Sequence, residues 1–293
     1  MGLKFHLQPA VAQAQCASVP STEIYDYIAL GSGAGGTPIA DRLSKAGHKV
    51  LLIEKGPPST GRWGRTMKPN WLEDTNLTRF DVPGLCIQIW DDPTSAVCTD
   101  IDQMAWCMLG GGTAVNAGLW WKPHPPDWDV NLPEGWRSKD VAAATERVFS
   151  RMPGTITPSM DGKRYMPQGF GMLTGSLKAA GWQGPVRRTL TTYLVTASGR
   201  KSFTLWINTI ARRVVRDHGH ATGVEVECNG AGHTGVVPLT PDTGRVIISA
   251  GAFGSATLLF RSGIGPTDQL NIKNSTNGST VISSTSGSTC RWL

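Results

Sequence analysis

The chain has 293 residues, room for two ordinary domains or one large one. Its 40% apolar content supports a sizeable core, and its 17% charged content excludes a coiled coil or a charged disordered protein. The net charge of +6 comes from scattered basic residues, with no long run and no aromatic–basic interleave, so it reads as a mildly basic solvated surface and not as a nucleic-acid-binding face.

Residues 1–22 read as a leader or linker. Ala12-Gln13-Ala14 has the small-residue character of a signal cleavage site, but the apolar stretch before it is short and includes Lys4 and His6. No stretch reaches the roughly 18 apolar residues that a membrane span requires, so no membrane partner is predicted. Tyr25 to Leu30 predicts a buried strand that runs into Gly31-Ser32-Gly33-Ala34-Gly35-Gly36. Thr37 to Ala46 predicts a helix: Ile39 and Leu43 share a face, Pro38 fits the first turn, and Gly47 stands where a helix stops. Lys49 to Ile53 predicts a second strand with Glu54 at its end, completing a β-α-β unit.

From Pro57 to Asp102 the text is loop-like, rich in Pro, Gly, Asn and Trp. Cys107 to Trp121 is glycine-rich and apolar. Helices are predicted over Asp140–Arg151, within Lys163–Gly181, and over Ser255–Arg261, the last stopped by Gly263. Strands are predicted over Phe203–Asn208, Val214–Asp217, Gly223–Cys228 and Arg245–Ser249. His218-Gly219-His220 reads as a solvated turn between strands and not as a metal site. The six cysteines form no CxxC pair, so no metal centre is predicted. Residues 271–293 are mostly Ser, Thr, Asn and Gly, too polar to offset the entropy of ordering, and predict a disordered tail.

Gly31-x-Gly33-x-x-Gly36 follows a predicted strand and opens a predicted helix, with Glu54 18 residues beyond Gly36 at the end of the next strand. Gly31 would make the tight turn, Gly33 would let the backbone approach a pyrophosphate, and Gly36 would let helix and strand pack closely. The helix N-terminus offers free N–H groups to phosphates. The Glu54 carboxylate would accept from ribose hydroxyls and repel a 2′-phosphate, which disfavours NADP. The alternative is a glycine turn that binds nothing.

The second glycine cluster, Gly110-Gly111-Gly112-Thr113-Ala114-Val115-Asn116, has two readings. It is either backbone lying along a flat ligand, with Thr113 and Asn116 at its edge, or a flexible loop. Its position about 75 residues after the first motif suits a long cofactor whose halves lie far apart, FAD better than NAD.

The segment from Gly110 to Trp121 resembles the first signature of the glucose–methanol–choline (GMC) oxidoreductases. Ser249-Ala250-Gly251-Ala252-Phe253-Gly254-Ser255, continuing to Gly265-Pro266, resembles the second, with Ala256 where that signature usually has Pro. Within the family, Glu54 to Gly64, Thr78 to Leu85, Phe149 to Gly154 and Asp161 to Tyr165 resemble the flavodehydrogenase part of fungal cellobiose dehydrogenases. The likeness runs from about Tyr25 to Leu270, so residues 23–270 are expected to form an α/β, Rossmann-like FAD-binding domain with an incomplete substrate domain.

The resemblance implies hydride transfer from the anomeric carbon of cellobiose or a related oligosaccharide to FAD, giving a lactone. It also implies an extracellular setting, compatible with the sequons at Asn76, Asn274 and Asn277, and an electron acceptor such as a haem domain, which this chain does not show. Carried over residue by residue, it gives Gly31, Gly33, Gly36 and Glu54 the ADP half of FAD, and Gly111, Gly112, Thr113 and Asn116 the flavin half. Cys98 and Cys107 stand at the family's spacing for a short-loop disulfide; two buried thiols are the alternative.

Two departures bear on activity. The family's catalytic His lies in a later segment that nothing here matches, so the catalytic base is unassigned and a non-catalytic FAD-binding fragment, or an aberrant gene product, is the alternative function. The stretch from Trp182 to Thr192 reads as shortened.

Overall fold

The structure is a computed structural model. It describes residues 21–82, 85–86, 89, 96–98, 100, 105–115, 118, 120, 122–152, 163, 167–181, 193–228, 232–267 and 270. The expected leader (apart from residues 21 and 22), the polar tail, the shortened stretch and Asn116 lie outside these residues.

The chain divides into two compact units, residues 1–115 with 193–293, and residues 116–192. In the first unit, β1 (Tyr27–Leu30) leads through α1 (Gly36–Lys45) to β2 (Val50–Ile53). The second unit carries α2 (Pro125–Asp129), α3 (Ser138–Arg151) and α4 (Pro167–Ala179). The first unit resumes with α5 (Tyr193–Ser198), β3 (Phe203–Trp206), β4 (Thr209–Asp217), β5 (His220–Cys228), β6 (Thr234–Pro238), β7 (Arg245–Ile248) and α6 (Gly251–Arg261).

Four strands make a parallel sheet in the order β3-β2-β1-β7. Tyr27 stands opposite Val50 on one side and Arg245 on the other, and Val50 stands opposite Phe203. Both faces of this parallel sheet are covered, which is why YIAL and VLLI are apolar runs and not alternating ones. Side chains still alternate between faces with period two. Ile28, Leu30, Leu51, Ile53 and Trp206 pack with Val224, Val226, Val237 and Leu258. Ala29, Val50, Leu52, Phe203 and Leu205 face the other way, against Ala40, Leu194 and Ala197. Each fully buried Ile or Leu contributes about 1.5–3 kcal/mol.

The second sheet is antiparallel, in the order β4-β5-β6. His218 and Gly219 both have positive φ (42° and 88°), the backbone that a two-residue hairpin turn demands. His218-Gly219-His220 is therefore the β4–β5 turn, with Asp217 paired to His220. β4 begins five residues earlier than the sequence pattern predicts. Arg212 and Arg213 interrupt its apolar run, but each pairs across to β5, with Glu227 and Glu225 respectively. β6, α2 and α5 are not anticipated by the pattern.

A buried polar cluster fixes α1 to the chain that enters β3. Asp41, 1% exposed, accepts from Arg200 Nη1 (2.7 Å) and Thr196 Oγ1 (2.7 Å), and the same guanidinium nitrogen reaches Ser44 Oγ at 3.0 Å.

In the second unit, Ser138 opens α3 by donating to Asp129 at the end of α2, through N–H (2.7 Å) and Oγ (2.9 Å). Trp120 stacks on Phe149 at 4.8 Å, and its indole N–H donates to the Met152 carbonyl at 3.2 Å. None of the three helices buries a whole residue among those described, and α4 exposes Met172 and Leu173. Among the described residues no helix is long and apolar enough to cross a membrane.

Candidate functional site

The loop after β1 stands at the carboxyl ends of the parallel strands, where the chain turns back from β2 on one side and β7 on the other. Open α/β sheets bind ligands at such a switch point. Gly31 turns with φ +100°, and a side chain there would press on the backbone of Ser249 and Ala250, whose Cα would be 2.9 Å away. Gly36 lies so close to the Gly31 carbonyl that a methyl group would overlap it, and would meet Ser249 Oγ at 2.5 Å. Gly33 differs from both: a methyl group there would have no protein atom within 4 Å. The three glycines thus differ in their surroundings: a turn, an open position and a close helix–strand contact.

α1 begins without a side-chain cap; in its first turn the Thr37 N–H donates to the Gly33 carbonyl at 3.3 Å, and Pro38 has no N–H. Thr37 Oγ1 instead ties back to the Ser32 carbonyl at 2.5 Å, which closes the loop on itself. The open cradle at Gly33 beside an uncapped helix start fits a phosphate group.

Glu54 follows β2 and is 6% exposed. Oε2 accepts from the Ser32 N–H (3.0 Å) and from the Ser32 hydroxyl (2.5 Å), while Oε1 accepts from the Gly56 N–H (2.9 Å). Burial pushes this carboxyl above its ordinary value of 4.5, against hydrogen bonds from Ser32 and Gly56 that favour the charged form. The acid is thus held by three donors at the end of β2, beside the glycine loop.

The second glycine cluster is not a free loop. Gly111–Ala114 form a 3-10 turn, entered through Gly110 with φ +94°. The Gly110 N–H donates to Ser32 Oγ at 2.8 Å, and a methyl group on Gly111 would stand 3.3 Å from Gly33 Cα. The Thr113 hydroxyl donates to the Gly110 carbonyl, and Gly112 and Thr113 are exposed. Three of the four flavin-half residues from the sequence therefore lie on a turn that borders the cradle. Asn116 lies outside the described residues.

Behind this turn Cys98 is disulfide-bonded to Cys107, nine residues on. The cysteine sulfurs are thus engaged with each other, although Asp100 is close enough to make the trio look like a ligand set. Two backbone bonds, Cys98 N–H to Ala105 O (2.8 Å) and Cys107 N–H to Ala96 O (2.9 Å), brace the bridge. Leu109 N–H then bonds Pro57 O at 2.9 Å, carrying the brace to the loop that follows β2 and Glu54. Ser32 is the participant that motif reasoning missed. It occupies an unspecified position of the glycine motif, and its partner Gly110 lies 78 residues away. The Ser249 hydroxyl, within the second signature, reaches the Leu30 and Gly31 carbonyls, each at 3.1 Å.

His48 packs edge-on against Tyr27 at 5.1 Å, and His218 and His220 stand on the exposed hairpin turn.

The family profile described as GMC oxidoreductase matches residues 160–278. An oxygen-dependent choline dehydrogenase of Rhizobium rhizogenes is 27% identical over 293 aligned residues, covering 84% of this chain and 49% of that protein. The solved structure of pyridoxine 4-oxidase from Mesorbium loti shares the fold with a TM-score of 0.59 at 20% identity, over 84% of this chain and 53% of its own. A FAD-dependent oxidoreductase from Chaetomium thermophilum superposes with a TM-score of 0.55 at 18% identity, over 85% and 49%. The chain spans about half the length of the relatives it matches. In sequence over residues 160–278 and in fold, the chain is similar to the GMC oxidoreductases.

Proposed function

We propose that this chain holds FAD and serves the FAD-dependent oxidation of a CH–OH donor. The observation that carries the reading is the pairing of an open glycine cradle with the buried, three-donor carboxylate of Glu54 at the strand switch point. Gly33 and the start of α1 would take the pyrophosphate, Glu54 the adenosine ribose, and Gly111, Gly112, Thr113 and Asn116 the flavin side. FAD, when bound, supplies the hydride acceptor. The residues of this chain bind and orient it, and the apolar wall of Met108 and Leu109 behind the glycine turn, both fully buried, keeps water from that side.

For the donor, the resemblance of Glu54–Gly64 and Thr78–Leu85 to cellobiose dehydrogenases favours the anomeric C–OH of cellobiose or a related oligosaccharide, in an extracellular setting. An electron acceptor such as a haem domain would then take the electrons onward. The choline dehydrogenase relatives favour a second reading, a small alcohol donor of the choline type. Both readings need a base for the hydroxyl proton, which typically contributes about 10²–10⁴-fold. A fragment that binds FAD without turnover is the remaining alternative.

Anaerobic spectroscopy of the FAD-loaded chain separates these. Bleaching of the flavin band by cellobiose supports the sugar reading, and bleaching by choline alone supports the second. A band that neither donor bleaches supports the non-catalytic fragment, and failure to retain flavin refutes the proposal.

A further inference from the structure

Ser32 is 1% exposed, and its side chain performs two tasks at once. The hydroxyl donates its single proton to Glu54 Oε2 at 2.5 Å and accepts the Gly110 N–H at 2.8 Å. Its own backbone N–H donates to the same carboxylate oxygen at 3.0 Å. One oxygen thus connects the first glycine loop, the end of β2 and the second glycine cluster. The direction of the chain of hydrogen bonds is fixed, because Glu54, when ionised, can only accept and the Gly110 N–H can only donate. Gly110 is part-buried, so removing its Ser32 partner leaves this N–H open to exchange with water.

We infer that Ser32 is a positioning residue that makes the two glycine segments one binding unit, so that occupancy of the adenosine side orders the turn on the flavin side. This rests on the FAD reading above. The geometry gives the coupling a route. A ligand seated on Gly33 and Glu54 holds the loop closed, and the closed loop holds Ser32 Oγ against Gly110. Exposing the Gly110 amide requires breaking that contact. Gly111 borders Gly33 directly, so packing alone offers a competing route that the test must separate.

The test is amide hydrogen exchange over residues 108–113 with and without ADP, in the wild type and in Ser32→Ala. In the wild type, ADP is expected to slow exchange in this segment. In Ser32→Ala the segment should exchange faster and ADP, though bound, should no longer slow it. Titrations run alongside should show FAD affinity falling about tenfold in the variant and ADP affinity falling about threefold or less. Protection that survives in Ser32→Ala with ADP bound assigns the effect to packing and overturns the inference. So does a wild type that binds ADP without any slowing over 108–113, a result that needs no folded variant. A wild type that binds neither ADP nor FAD refutes the functional reading itself and the inference with it.

Discussion

Gly36→Ala and Gly33→Ala are the most discriminating pair of substitutions, because the same added methyl group has opposite consequences three residues apart. At Gly36 the new carbon overlaps the Gly31 carbonyl and stands 2.5 Å from Ser249 Oγ. Ser249 can rotate, but the carbonyl is backbone. Relief requires α1 to retreat from β1 by roughly 1 Å, loosening the contact of Ala40 with the sheet. Overpacking costs about 1–3 kcal/mol, and a backbone obstacle places this case near the upper end, about 3 kcal/mol. At Gly33 the new carbon meets nothing within 4 Å, so the stability change is at most about 1 kcal/mol, of either sign. The same methyl group fills the phosphate cradle, so ADP affinity should fall about tenfold or more, or at least 1.4 kcal/mol. Urea unfolding followed by circular dichroism gives the first quantity, and calorimetric titration with ADP gives the second. Equal destabilisation of the two variants would refute the division of labour among the glycines. Unimpaired ADP binding by Gly33→Ala would refute the cradle.

Other expected outcomes follow from single features. Replacing Cys98 and Cys107 together by serine should cost about 2–3 kcal/mol, read as a lower urea midpoint, since a short loop is released in the unfolded state. Arg200→Ala should cost about 2–3 kcal/mol by leaving the buried Asp41 carboxylate without its cation; the part-exposed guanidinium keeps this below the full cost of breaking a wholly buried pair. Burial raises the folded Glu54 carboxyl above its unfolded value of 4.5, so the unfolded chain releases that proton first. Relative to Glu54→Gln, the stability of the ligand-free wild type should therefore decline as pH rises upward from 4.5, and parallel pH–stability curves would contradict this. At Asp26 the sign is reversed. The Lys49 N–H and the Thr240 hydroxyl hold its carboxyl below 3.8, so its contribution should vanish as pH falls beneath that value, and Asp26→Asn should flatten the acid limb of the curve.

The β-α-β unit was legible in the sequence because a parallel strand buried on both faces leaves an unbroken apolar run, as at Tyr27–Leu30 and Val50–Ile53. β6 was not, because of its five residues only Val237 is buried outright. The six-residue α5 is too short for helical periodicity to show. In β4 the pair Arg212-Arg213 reads as a solvated break, and only the cross-strand glutamates make it a strand. The site divides in the same way. Local pattern marks Gly31, Gly33, Gly36 and Glu54, since their spacing within one β-α-β unit is itself the signal, although Gly31 and Gly36 also pack against Ser249. The roles of Ser32 and Gly110 depend on each other across 78 residues, and no local pattern encodes that. The Cys98–Cys107 bridge was accessible only through family resemblance, because two cysteines nine apart are equally compatible with free thiols.

The measurement that tests the central claim most directly is a titration of the flavin-free chain with FAD, repeated in the presence of saturating ADP and again with riboflavin in place of FAD. The claim that Gly33, α1 and Glu54 hold the adenosine diphosphate half predicts that FAD binds, that ADP competes with it, and that riboflavin binds far more weakly. FAD binding that ADP leaves unaffected, or that riboflavin matches, would contradict it.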